Sequence, residues 1–244
     1  MIRTLYLLFG LVVYCLFLAT FLYLVAFVGN LPGVPLTVDN GGPVAGVVEA
    51  IAVDLGLVAL FGVQHSVMAR PAFKRVWTRI VPEPIERSIY VLLASLALIL
   101  LFLLWRPIPA LLWSVDNPAA VIAIHALFGL GWLIVLASTF LISHFELFGL
   151  KQVWSHARGA APVEPQFHTP FFYKLVRHPL YSGFILAFWV TPRMTAGHLL
   201  LAAAMLAYIL IAIGHEERDL VALFGQRYEA YRKQVGMLLP RFGR

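Results

Sequence analysis

Histidines, carboxylates, an arginine and several tyrosines stand at the ends of long apolar runs, and these residue types suit proton transfer and the binding of a charged small molecule. His65 lies five residues before Arg70, so about 7.5 Å of helix rise separates it from the basic end of its run. His144 and Glu146 close the fourth run, and Arg177, His178 and Tyr181 open the fifth. His215, Glu216 and Glu217 close the sixth, and Tyr228 and Tyr231 follow in the tail. Histidine titrates near neutrality and takes a proton, whereas arginine forks onto a carboxylate. Ionisable groups within apolar segments are costly and mark function by default. Four chain-distant segments bring such groups to one level, while the opposite half carries only scattered ones such as Glu49, Asp54, His125 and His198. This pattern reads as a site open to the cytoplasm.

Each group also has a plainer reading. Arg177 and His178 suit interfacial anchors ahead of Pro179, a favoured first helical residue. Glu216 and Glu217 suit solvated acids opening a tail helix, His65 a core histidine bonded to Gln64 or a carbonyl, and Tyr228 and Tyr231 interface aromatics. Glu49 and Asp54 suit the outer headgroup region. Convergence of the set carries the functional reading.

The elements that must position these groups follow from composition. Of 244 residues 61% are hydrophobic and only 12% charged, and the mean hydropathy is +0.86, which excludes an ordinary soluble domain. Thr4–Val38, Ser88–Trp105, Asn117–Phe145 and Met194–His215 contain no Asp, Glu, Lys or Arg, and a bilayer-spanning helix needs about 20 apolar residues. The expected fold is an all-α, polytopic membrane bundle of five to six spans. The segments run about Leu5–Val28, Val44–Met68, Ser88–Trp105, Pro118–Ser143, Pro179–Val190 and Ala196–Gly214. Thr191-Pro192-Arg193 breaks the last pair into a tight hairpin, spanning or re-entrant. The first run exceeds a signal-peptide core and lacks a small-residue cleavage site, so it reads as a retained helix.

Charge sets the expected orientation. The N-terminus, the 70–87 and 144–178 loops and the tail from 215 hold sixteen of the eighteen Lys and Arg residues and eight of the twelve acids. Those regions are expected in the cytoplasm, so the net charge of +6 reads as a topology signal and a match to anionic lipid, not to nucleic acid. Leu220, Phe224, Tyr228, Tyr231 and Val235 recur at helical spacing among Arg218, Arg227, Arg232 and Lys233, so the tail reads as an amphipathic helix along the membrane surface. The single cysteine, Cys15, permits neither an intrachain disulfide nor a cysteine-built metal centre. No Gly-x-Gly-x-x-Gly follows a strand, which excludes the soluble dinucleotide fold, and no metal site or obligate protein partner is expected.

Arg177-His178-Pro179-Leu180-Tyr181, then Glu216-Glu217 after one hairpin, then Tyr228-x-x-Tyr231 and Pro240 resembles the isoprenylcysteine carboxyl methyltransferase and phospholipid methyltransferase superfamily. That resemblance covers Phe171–Arg241. Gln64-His65-Ser66-Val67-Met68-Ala69-Arg70 and His144-Phe145-Glu146-Leu147-Phe148-Gly149-Leu150 extend it over nearly the whole chain to the nurim-related branch, nearest the bacterial methanethiol S-methyltransferases.

The resemblance implies one integral-membrane domain over 1–244, with four helices in residues 1–143 followed by a cofactor-binding region in residues 144–244, in a bacterial inner membrane. It implies S-adenosylmethionine as methyl donor and a small volatile thiol, methanethiol, as acceptor, with dimethyl sulfide as product. Arg177, His178, Tyr181, Glu216, Glu217, Tyr228 and Tyr231 are then the cofactor residues, with His65 or His144 the base and Glu146 orienting one of them. The alternatives are methylation of an isoprenylcysteine carboxylate or lipid amine, a b-type haem protein using His125 and His198, and a transport protein whose polar layer lines a channel. The loop 151–167 is left as a lid or a surface connector.

Overall fold

The computed structural model describes residues 1–160 and 167–241. In chain order it contains α1 (Ile2–Val28), α2 (Val47–Ala69), α3 (Pro71–Trp77), α4 (Glu83–Leu104), β1 (Leu111–Ser114), α5 (Pro118–Ile142), α6 (His144–Leu147) and α7 (Leu150–Arg158). A 3-10 turn at Phe171–Lys174, then α8 (Pro179–Trp189), β2 (Arg193–Thr195), α9 (Ala196–Phe224) and α10 (Gln226–Gln234) complete it.

Among the described residues, five helices are long and apolar enough to cross a membrane: α1, α2, α4, α5 and α9. Leu5, Leu8, Val12 and Leu22 of α1 and Ile122, Leu133 and Phe140 of α5 are exposed. Outward apolar faces on helices whose backbone bonds close internally are what a bilayer demands. The chain is an all-α polytopic membrane bundle, as its composition predicts. The fifth expected segment is only the 11-residue α8, whose rise of about 16 Å is roughly half the hydrocarbon thickness.

The chain forms two compact units that interleave along the sequence: Met1–Ile108 with Ser143–Glu164, and Pro109–Ile142 with Pro165–Arg244. In the first, α4 packs against α1 and α2, and α7 lies on α1 and α4. Val13, Met68, Tyr90 and Val91 form one core cluster, with Phe9, Phe17, Phe73, Trp77 and Phe148 packed on it. At its other end Trp105 is buried against Phe27 and its indole N–H donates to the Val38 carbonyl at 3.0 Å. Asp54 is buried rather than solvated: it is 0% exposed and accepts a bond from the Arg106 amide at 2.9 Å, anchoring the exit from α4, while Glu49 pairs with the Arg106 guanidinium.

In the second unit α5 packs along α8, α8 on α9, and α10 on α9. Trp132 meets Phe184 and Phe188 edge-on at 5.7 and 6.1 Å. Leu111 pairs with Thr195 and Ser114 with Arg193 in an antiparallel two-stranded sheet, which helical periodicity could not announce. These short segments precede α5 and α9 and pair their backbones where neither helix supplies partners. Thr195 then caps α9 by accepting the His198 amide at 3.1 Å.

The tail is not one amphipathic helix. α9 runs through Glu216 and Glu217 to Phe224, and Gly225 breaks it at φ +56°, ψ −135° before α10 begins. Lys151–Arg158 of the 151–167 loop is helical, within α7; residues 161–166 of that loop lie outside the described ones.

Candidate functional site

Proline at the first position of α8 keeps His178 out of the helix, at φ −126° and ψ 63°, and the chain leading into it pairs elsewhere. Val176 bridges Gly236, the Arg177 amide donates to the Gly236 carbonyl at 2.8 Å, and the His178 amide donates to the Met237 carbonyl at 3.1 Å. Ser182 continues the seam, its hydroxyl donating to the Leu238 carbonyl at 2.8 Å. The segment after α10 is thereby laced to the entry of α8, with the last turns of α9 beside both.

Glu217 is the hub. Its Oε1 accepts from Arg177 Nε at 2.7 Å and lies 3.1 Å from His178 Nε2, and its Oε2 is 3.2 Å from Arg232 Nε. The Arg177 and Glu217 side chains are only 9% and 10% exposed, so each depends on the other to offset lost hydration. Arg177 Nη1 also donates to the Val235 and Arg232 carbonyls at 2.6 and 3.1 Å, closing the C-terminal end of α10. Glu216 stands alongside, its Oε2 3.9 Å from His178 Nδ1, but 43% exposed. Tyr181 places its ring 5.7 Å from that of His178.

Tyr228 is 2% exposed, with its ring against Phe167 and Tyr231. Tyr231 packs on the same Phe167 and donates its hydroxyl to the Tyr173 carbonyl. Burial, reinforced by Glu217, pushes the Tyr228 phenol well above its ordinary range, and burial pushes Tyr231 up to about 12. Both remain neutral donors at any physiological pH. A cavity of about 570 Å³ opens next to this cluster, lined by Arg177, Glu229, Arg232, Lys233 and Arg241.

In the first unit His65 sits on α2 between Phe61 and Tyr90, ring centroids 5.1 and 4.9 Å away. Arg87 lies 4.6 Å over the Tyr90 ring and donates to the Leu147 carbonyl at 2.7 Å, tying α4 to α6. His144 is 6% exposed, edge-on to Phe145 and Phe148, and hydrogen-bonded through Nε2 to the Tyr14 hydroxyl at 2.8 Å. Burial lowers its pKa and favours neutral imidazole. Glu146 turns to Lys151 at 2.6 Å, and that bond holds its carboxyl below the usual carboxylate range. Tyr14 thus hydrogen-bonds His144, while Glu146 ties α6 to α7 through Lys151.

The histidines of the haem alternative are differently placed: His198, 1% exposed, donates from Nε2 to the Phe188 carbonyl at 2.9 Å, and His125 lies exposed on α5. Among the described residues no group of three or more His, Cys, Asp or Glu is arranged to hold a metal ion.

No protein-family model and no solved structure matches the chain. Curated relatives do. Methanethiol S-methyltransferase of Mycobacterium tuberculosis is 52% identical over 238 residues, 98% of this chain and 97% of that one. Methanethiol S-methyltransferase 1 of Bradyrhizobium diazoefficiens is 51% identical over 233 residues, 96% of this chain and 81% of the relative. This chain belongs to the methanethiol S-methyltransferase family. Human nurim is 32% identical over 220 residues, 80% of each chain, which sets the family in the nurim-related branch.

As a member of that family the chain brings Arg177, His178, Glu216 and Glu217 into one cluster, with Tyr181, Tyr228 and Tyr231 around it. His144 and Glu146 share one short helix and His65 lies on another. Sequence reasoning missed Tyr14, 130 residues from its histidine partner, for which no local signal exists. It also missed Glu229, Arg232, Lys233 and Arg241 as cavity residues. The crowding of cations in the tail was a visible signal, read there as membrane anchoring.

Proposed function

We propose that the chain is a bacterial inner-membrane enzyme that transfers a methyl group from S-adenosylmethionine to methanethiol, giving dimethyl sulfide and S-adenosylhomocysteine. The observation that carries this reading is identity of about 50% along essentially the whole chain to proteins named for that acceptor. The donor set fits the methyl donor: arginines for a carboxylate, Glu216 and Glu229 for ammonium or ribose hydroxyls, and the rings of Tyr181 and Tyr231 for an aromatic base. When bound, S-adenosylmethionine supplies an electrophilic methyl group on a sulfonium.

The chain's own residues do the rest. The thiol proton must leave as sulfur becomes nucleophilic, and neutral His144, kept uncharged by burial and held by Tyr14, is the first acceptor, with His65 the second. Glu146 positions α6, which carries His144. His178 and Glu217 hold the end of α8 against α9. The site faces the cytoplasm, supported by the partition of sixteen of eighteen Lys and Arg residues.

Headspace analysis of membranes given S-adenosylmethionine and methanethiol tests the reading. Dimethyl sulfide in molar balance with S-adenosylhomocysteine is expected. Methylation of an isoprenylcysteine carboxylate or a phospholipid amine, with methanethiol ignored, overturns the acceptor and retains the donor.

A further inference from the structure

The cavity beside the Arg177–Glu217 pair is lined by four cationic side chains and one carboxylate, Arg177, Arg232, Lys233, Arg241 and Glu229. Arg177 is largely spent: Nε is bonded to Glu217 and Nη1 to two backbone carbonyls. Among the described residues Arg241 is held from one side, Nη1 donating to the Lys233 carbonyl at 2.7 Å, so the rest of its guanidinium fork remains for a ligand. Lys233 and Arg232 adjoin each other on α10, and Glu229 precedes them by four and three residues, one helical turn away on the same face.

S-adenosylmethionine is a cation overall, with a sulfonium, an ammonium and one carboxylate. A wall of four cations repels its sulfonium and attracts only its carboxylate, whereas Glu229 complements the ammonium next to that carboxylate. We propose that the amino-acid end of the donor is captured by the tail, its carboxylate by Arg241 with Arg232 and Lys233 and its ammonium by Glu229. Arg177 is then a positioning residue that holds the tail in place. This rests on the donor reading above and assigns the donor's orientation to residues that lie beyond the Arg-His-Pro and Glu-Glu motifs.

Decarboxylated S-adenosylmethionine keeps the adenosyl group, the sulfonium and the amine and lacks only the carboxylate, so it isolates the contact. Calorimetric titration of the full-length protein in detergent is run with both compounds on wild type, Arg241→Gln, Lys233→Gln and Arg177→Lys. Arg241→Gln is expected to weaken S-adenosylmethionine about tenfold to a hundredfold, the cost of a charge-assisted bond. It is expected to leave the decarboxylated compound within about twofold. Lys233→Gln follows the same pattern more weakly, while Arg177→Lys weakens both compounds alike and lowers the melting temperature. Variants of Arg241 and Lys233 that lose both compounds equally, or neither, overturn the assignment while the donor reading stands. Wild type that binds neither compound overturns the donor reading and this assignment together.

Discussion

Glu217 draws three cationic or protonatable partners to two oxygens, so its neutral variant leaves Arg177, His178 and Arg232 facing one another across a half-buried space. Glu217→Gln is expected to destabilise by about 3 kcal/mol, since breaking a buried pair strands its partner. The expected readout is loss of donor affinity together with a lowered melting temperature; affinity lost at unchanged melting temperature would make Glu217 a ligand group only. His144 carries the other residue-scale expectation. Its pKa lies below the ordinary 6.5, so between the two values the unfolded chain binds a proton that the folded chain does not. Stability therefore falls as pH drops through that window and is flat above it. The same shift keeps imidazole a competent base, so the acid limb of kcat should fall below pH 6.5. His144→Ala should lose about 10²- to 10⁴-fold in turnover with donor binding intact. A limb at or above the ordinary value, or turnover unchanged in the variant, removes His144 from the base role.

At the scale of elements, α8 reaches its partner α5 through two glycines. A Cβ on Gly131 would stand 2.8 Å from the Ala187 amide nitrogen and 2.9 Å from the Gly183 carbonyl, and one on Gly183 would stand 2.7 Å from the Gly131 carbonyl. Backbones packed this closely gain van der Waals contact that lipid cannot supply. Gly183→Val should therefore cost about 1 to 3 kcal/mol through enforced separation, seen as earlier thermal unfolding in detergent. Gly129→Ala, on α5 with open space at its Cβ, should be neutral or stabilising by up to about 1 kcal/mol. If the two variants behave alike, the close approach does not stabilise the second unit. The hinge between α9 and α10 makes a different demand: at φ +56° Gly225 has no neighbour within 4 Å of its Cβ position, so Gly225→Ala meets only backbone strain. A loss of about 1 kcal/mol is expected, without the steric signature of the crossing.

For the molecule as a whole, the charge partition predicts where each connection lies. A reporter fused after Arg244 should score as cytoplasmic and one placed at Asp116, between β1 and α5, as external. Reversal of both signals would set the basic cavity away from a cytosolic methyl donor and overturn the proposed orientation. The outward leucines of α1 and α5 are satisfied by any apolar solvent, which is why the titrations and melting experiments above can be run in detergent.

Hydropathy alone determined the membrane class, the all-α architecture and the approximate ends of the long helices, except that α9 runs past the expected Gly214 to Phe224, because a helix in lipid closes its own hydrogen bonds and needs only length and apolar surface. The same local rule placed a break at Thr191-Pro192-Arg193, where α8 has ended and β2 begins. The Arg177, His178, Glu216 and Glu217 set was legible too, since short spacings on either side of one hairpin carried it. Only the tertiary structure decided that Arg177 closes the end of α10, that Tyr14 holds His144, that Asp54 is buried under the exit of α4, and that Glu229, Lys233 and Arg241 line a cavity. Most of these pairings join segments tens of residues to more than a hundred residues apart, and no helical period encodes which distant partner satisfies a buried charge. Side-chain chemistry states what each group requires; packing selects which neighbour supplies it.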